Sequence, residues 1–120
     1  MKNREIFLTD LALITCIVQR GLADDIVVAA REAGAHGATI SYARGTGVRE
    51  RLGILGVAVE VEKEVIGIVV ATEQVDTVFD AIHRAGKLDT PGMGFMYVTP
   101  LEKAATYIPP QVVEKLRDKG

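Results

Sequence analysis

Residues 57–86 read VAVEVEKEVIGIVVATEQVDTVFDAIHRAG, and the hydrophobic period changes once within them. From Val57 apolar residues alternate with Glu60, Glu62 and Glu64, the pattern of a strand with one solvated face, and the run becomes apolar from Val65 to Ala71. After Thr72, which can cap a helix, Val75, Val78, Phe79 and Ile82 recur at helical spacing, and Gly86 falls where a left-handed carboxyl cap would stand. The stretch is therefore predicted as a strand ending near Ala71 that enters a helix directly.

Working outward, LALITCIV (Leu11 to Val18) is β-branched and free of Gly and Pro, which predicts a strand buried on both faces. Gly21 ends it. Asp24 and Asp25 place negative charge where a helix amino end prefers it, and Ile26, Val27, Ala30 and Ala33 recur before Gly34. Ala38 to Ala43 (ATISYA) is predicted as a second strand that runs into RGTGVRERLG, a glycine- and arginine-rich loop. On the other side LDTPGMG is a second glycine loop, FMYVTP (Phe95 to Pro100) a fourth strand, and about 110–119 a short terminal helix. Residues 1–10 form a short extension.

Strand, helix, strand, strand, helix, strand is the ferredoxin-like α+β order, with an antiparallel four-stranded sheet and both helices on one face. The chain has 120 residues, 48% of them hydrophobic, which suits one domain. The bare sheet face, rich in Val and Ile, needs a cover, and a second copy of the chain is the expected one.

Composition narrows the function. A net charge of −2 supplies no basic field for nucleic acid or an anionic membrane, and no Trp with three Phe and three Tyr leaves little for base stacking. No apolar run reaches membrane-spanning length and no leader-like segment opens the chain, so a cytoplasmic protein is expected. The lone Cys16 sits in an apolar run and reads as buried and inert. His36 and His83 have no evident nucleophile beside them, and the chain is expected to be no enzyme and to hold no metal. Glu60, Glu62 and Glu64, beside Lys63, read as a solvated strand edge.

Gly45, Gly47, Gly92 and Gly94 are more informative, because glycine lets the backbone approach a ligand and lets successive N–H groups face an anion. Arg44, Arg49 and Arg51 lie in or beside the first of these loops.

The segments ITCIVQRGLADDIVVAAREAGAHGATISYARGTG, KEVIGIVVATEQVDTVFDAIHRAGKL and GMGFMYVTPLEKA together resemble the PII signal-transduction family across most of the chain. The resemblance implies a homotrimer that binds an adenine nucleotide (AMP, ADP or ATP) in the cleft between subunits and regulates a transporter or enzyme through a mobile loop, the T-loop. Carried over by position, it places Ile17, Gly37, Thr39, Gly45, Thr46, Gly47, Val48, Arg49 and Val69 around the nucleotide. Gly92, Met93, Gly94 and Phe95 fall on the loop that wraps the phosphates, and Lys63 falls at the base of the T-loop. Arg44, Arg49, Glu50, Arg51 and Leu52 fall on the partner loop.

The departures are specific. Phe95 stands where the family has a phosphate-loop lysine, and Thr106 and Ile108 stand where it has two arginines. Arg49 replaces a glutamine that helps hold magnesium and 2-oxoglutarate. The loop is shorter and lacks a tyrosine, and Asp89, Thr90 and Pro91 enlarge the second loop. A divergent member with little preference for the triphosphate is expected. The rival reading on the same topology is a regulatory domain sensing an amino acid or other small ligand. An acylphosphatase-type enzyme would need an asparagine near Arg20, and Asn3 is the only one. An RNA-recognition module would need aromatics on strands where this chain has none.

Overall fold

The computed structural model describes residues 7–45, 61–107 and 109–111. Strand β1 (Leu11–Gln19) leads through a turn at Gly21 into helix α1 (Ala23–Glu32). Strands β2 (Thr39–Gly45) and β3 (Val61–Ala71) follow, then a single 3₁₀ turn (Thr72–Gln74), helix α2 (Val75–Ala85) and strand β4 (Gly94–Leu101). The four strands form one antiparallel sheet in the order β2-β3-β1-β4, the ferredoxin-like arrangement. The terminal helix expected over about 110–119 and the start of the third strand at 57–60 lie outside the described residues.

Register decides which residues share a face. Cys16 pairs with Ile66 and with Met96, Ile14 with Ile68 and with Val98, and Ile40 of β2 with Ile66. Ile14, Cys16, Val18, Ile66, Ile68 and Val70 are buried there against Ile26 and Ala30 of α1 and Val78 and Ile82 of α2. Both helical stripes expected from the sequence thus face the sheet. The opposite face carries Leu13 opposite Val69, Ile17 opposite Val65 and Phe95, and Thr15 opposite Gly67 and Tyr97. Here Val69 is 48% exposed, Phe95 65% and Tyr97 41%, and the Phe95 and Tyr97 rings lie 5.7 Å apart. Within a single subunit the burial of β1 expected on both faces from LALITCIV is complete on the helix side, while on the other face Thr15 is buried, at 8% exposed. Both helices pack on one side, and Leu11, Leu13 and Ile17 on the other are only half-buried.

Two expected caps are corrected as well. Thr72 caps no helix: its N–H donates to Asp10 O at 3.0 Å, and α2 begins only at Val75 after the 3₁₀ turn. Gly86 has a right-handed φ of −85°, and the left-handed residue is Lys87, at φ 51°. Glycine serves at 86 because of space, since a Cβ there would meet Leu88 at 3.3 Å and Ile26 at 3.4 Å.

Burial also fixes the chemistry of the one thiol. Desolvation raises the pKa of Cys16 from its ordinary 9.0 to about 11, so the native thiol is neutral at physiological pH. A disulfide reagent at pH 8 is expected to leave Cys16 unmodified in the native protein and to titrate it fully in denaturant. Rapid native labelling would contradict the packing. Because the folded pKa is the raised one, the contribution to stability holds below pH 9 and is lost as pH rises toward 11.

Candidate functional site

The antiparallel register brings the ends of four strands to one edge of the molecule. Gln19 at the end of β1 pairs with Lys63, Gly45 at the end of β2 pairs with Val61, and Gly94 at the start of β4 pairs with Val18. Gly45, the described glycine of the first segment picked out in the sequence, and the second segment therefore lie at the same end of the sheet. They sit on opposite edges, however, and three interstrand spacings separate them by about 14 Å.

The second segment is fully described. After α2 the chain turns twice, with Thr90 N–H donating to Lys87 O at 2.9 Å and Met93 N–H to Thr90 O at 3.3 Å. Gly92 takes φ 82°, a left-handed value that favours glycine. At Gly94 the backbone presses on β1 so closely that a Cβ would lie 2.6 Å from Ile17 O and 2.8 Å from Val18 Cγ1. The Gln19 side chain, whose role the sequence did not signal, donates from Nε2 to Gly92 O at 2.6 Å.

The corner after Gln19 is pinned on its other side. Helix α1 has Leu22 at its N-cap, a residue with no side-chain oxygen, so its orphan N–H groups need acceptors from elsewhere. Glu64 of β3 supplies one: its Oε1 accepts from Gly21 N–H at 2.6 Å and Ala23 N–H at 3.1 Å, and the residue is only 7% exposed. A carboxylate at a helix amino end also meets the positive end of the helix dipole. The reading of Glu64 as part of a solvated edge is thus corrected. Glu62 does remain exposed and pairs with Arg20 at 2.8 Å, while Glu60 lies outside the described residues.

The expected binding residues fall into two groups within one chain. Gly45, Lys63, Ile17, Gly92, Met93, Gly94 and Phe95 gather toward the end just described, with Phe95 on the face opposite the helices. Gly37, exposed in the α1–β2 connection, Thr39 at the start of β2 and Val69 lie farther down the sheet. Six residues of extended strand, about 20 Å, separate Lys63 from Val69. Thr46, Gly47, Val48, Arg49, Glu50, Arg51, Leu52 and Ile108 lie outside the described residues, and Arg44 and Thr106 are exposed. Among the described residues, no helix is long and apolar enough to cross a membrane.

Comparison with known proteins bears on this arrangement directly. A family model described as Nitrogen regulatory protein P-II matches residues 11–108. Among solved structures, the chain is similar to that titled Crystal Structure of Arabidopsis thaliana PII bound to citrate, with a TM-score of 0.60 and 24% identity. The match covers 78% of this chain and 79% of that one, and at this identity the likeness carries the fold. The comparison with curated proteins returned no match.

Proposed function

The chain belongs to the nitrogen regulatory protein P-II family of signalling proteins, and from that premise we propose that it is a non-catalytic, cytoplasmic homotrimer that senses an adenine nucleotide. The nucleotide lies between subunits, and its occupancy governs docking on a transporter or enzyme through the loop at residues 44–56.

The observation that carries this reading is the placement of the two glycine segments. In one chain they share an end of the sheet and stand on opposite edges, too far apart to close on the phosphates of a single ligand. A neighbouring copy that brings its β2 edge toward the β4 edge of the first would unite Gly45 with Gly92, Met93 and Gly94. The apolar face around Leu13, Ile17, Val69 and Tyr97 supports association, since burying each large apolar side chain contributes about 1.5–3 kcal/mol.

Selectivity follows from charge. Phe95 presents an exposed ring where the family resemblance puts a lysine, and Thr106 carries no charge. Each charge-assisted hydrogen bond to phosphate contributes roughly 1.5–3 kcal/mol, so losing such groups removes most of the advantage of added phosphates. Calorimetry on the purified protein with AMP, ADP and ATP is expected to give one site per subunit and affinities within about tenfold of one another, a spread of roughly 1.4 kcal/mol. No heat with any of the three, against a positive signal from a panel of amino acids, would replace the nucleotide reading with that of a small-ligand sensor.

A further inference from the structure

We propose that Gln19 is a positioning residue that holds the loop between α2 and β4 ready for its ligand, an inference that rests on the binding role assigned to that loop above. The ladder between β1 and β4 ends at the pair Val18 and Gly94. Beyond it, residues 92 and 93 have no backbone partner on β1, and the Gln19 carboxamide takes that place by donating to Gly92 O at 2.6 Å. It acts as one more rung of the ladder, made by a side chain.

The rest of the loop is held by its own short turns, at Lys87 to Thr90 and at Thr90 to Met93. The peptide between Gly92 and Met93 follows a left-handed glycine at φ 82°, and it is held locally by the turn bond from Met93 N–H to Thr90 O at 3.3 Å. Because a peptide unit is planar, the bond from Gln19 to the Gly92 carbonyl and the bond from Met93 N–H to Thr90 O together hold one rigid plane, so the Gln19 bond also steadies the turn. The one long-range hydrogen bond that reaches this peptide therefore ties the turn, and the glycine segment it carries, to the end of β1.

The anchor itself is rigid. Backbone pairing with Lys63 fixes Gln19, and the chain after it is pinned by Glu64 to Gly21 N–H and Ala23 N–H and by Glu62 to Arg20. Ordering a loop before the ligand arrives removes that entropic cost from binding, so the bond shows itself in affinity more than in global stability.

The test compares Gln19→Ala and Gln19→Glu with the parent. Glutamate keeps the size and stem of the side chain but, ionised, can only accept, so it faces the Gly92 carbonyl without a proton to give. In nucleotide-free protein, residue-resolved amide hydrogen exchange at positions 92 to 94 is expected to be at least about fivefold faster in both variants, with melting temperature nearly unchanged. AMP affinity is expected to fall roughly three- to tenfold in both. Retention of parent-like exchange and affinity by Gln19→Glu would reduce Gln19 to a space-filling residue and overturn the proposal, as would unaltered exchange in Gln19→Ala. Should the parent bind no adenine nucleotide, the function proposed above fails, and the exchange rates alone still decide the anchor.

Discussion

Gly94→Ala is expected to lower the stability of the fold by about 3–5 kcal/mol, a large share of the 5–15 kcal/mol typical of a domain. The added methyl group would stand 2.6 Å from Ile17 O, 2.8 Å from Val18 Cγ1 and 3.1 Å from Val18 Cα. Two of those atoms are backbone of the central strand β1, which is held on both sides by ladder hydrogen bonds and cannot retreat. Gly94 also sits at φ +157°, where L side chains are rarely found. Overpacking and backbone strain each cost about 1–3 kcal/mol, and here they fall on the same residue. Thermal unfolding is expected to shift down by roughly 10–20 °C.

Two other glycines separate the causes. At Gly21, φ is +100° but a Cβ would meet nothing within 4 Å, so alanine there incurs backbone strain alone, about 1–2 kcal/mol. Gly37 has neither the dihedral nor a neighbour within 4 Å, and alanine there is expected to be neutral or stabilising by a few tenths of a kcal/mol. The order Gly37, Gly21, Gly94 in rising cost is the prediction, read by denaturant titration at one protein concentration, because association makes apparent stability concentration-dependent. A Gly94→Ala protein as stable as the parent would mean that β4 seats on β1 less closely than described.

The same close approach explains what was legible in the sequence. Helical period picked out Ile26, Ala30, Val78 and Ile82, because those contacts repeat along an element, whereas the unbroken apolar run of LALITCIV carries no period that could say that Ile14, Cys16 and Val18 are the residues facing the helices. Gly92 and Gly94 stood out because glycine between strands marks a special backbone. Glu64 could not be read correctly from its neighbours. Three alternating carboxylates describe a wet edge equally well, and what buries one of them is a helix start 41 positions away in sequence. Gln19 and Gly92 are 73 positions apart, and no periodicity links them. Gly86 was assigned the right position for the wrong reason, since a glycine needed for room looks the same in sequence as one needed for its dihedral. Gly37, Thr39 and Val69 entered only through family resemblance, and the sheet shows why: within one chain they do not share a place with the glycine loops.

Leu13→Asp is expected to dissociate the proposed trimer while leaving each subunit folded. Leu13 lies in the middle of the face opposite the helices, paired with Val69 on β3 and Thr99 on β4, with its Cδ1 near Gly67. It is half-buried within the subunit, and the core proper, from Ile14 to Ile82, is on the other side of the sheet. An aspartate there can hydrate in the isolated subunit, so the direct loss of stability is modest. When that face is covered by neighbours, every subunit must desolvate a carboxylate with no cation opposite, at an effective cost of several kcal/mol each. Summed over three subunits this exceeds what a trimer at micromolar concentration can absorb, and sedimentation is expected to report monomers with a parent-like circular dichroism spectrum. Val28→Asp, on the outer surface of α1 where Val28 is 53% exposed, is the matched control and is expected to leave the trimer intact. Because the ligand site is proposed to need two subunits, the Leu13→Asp monomer is also expected to lose nucleotide binding, although Leu13 is not among the residues assigned to the site. A trimer that survives Leu13→Asp would move the subunit interface to another face, and a monomeric parent would remove the shared cleft altogether.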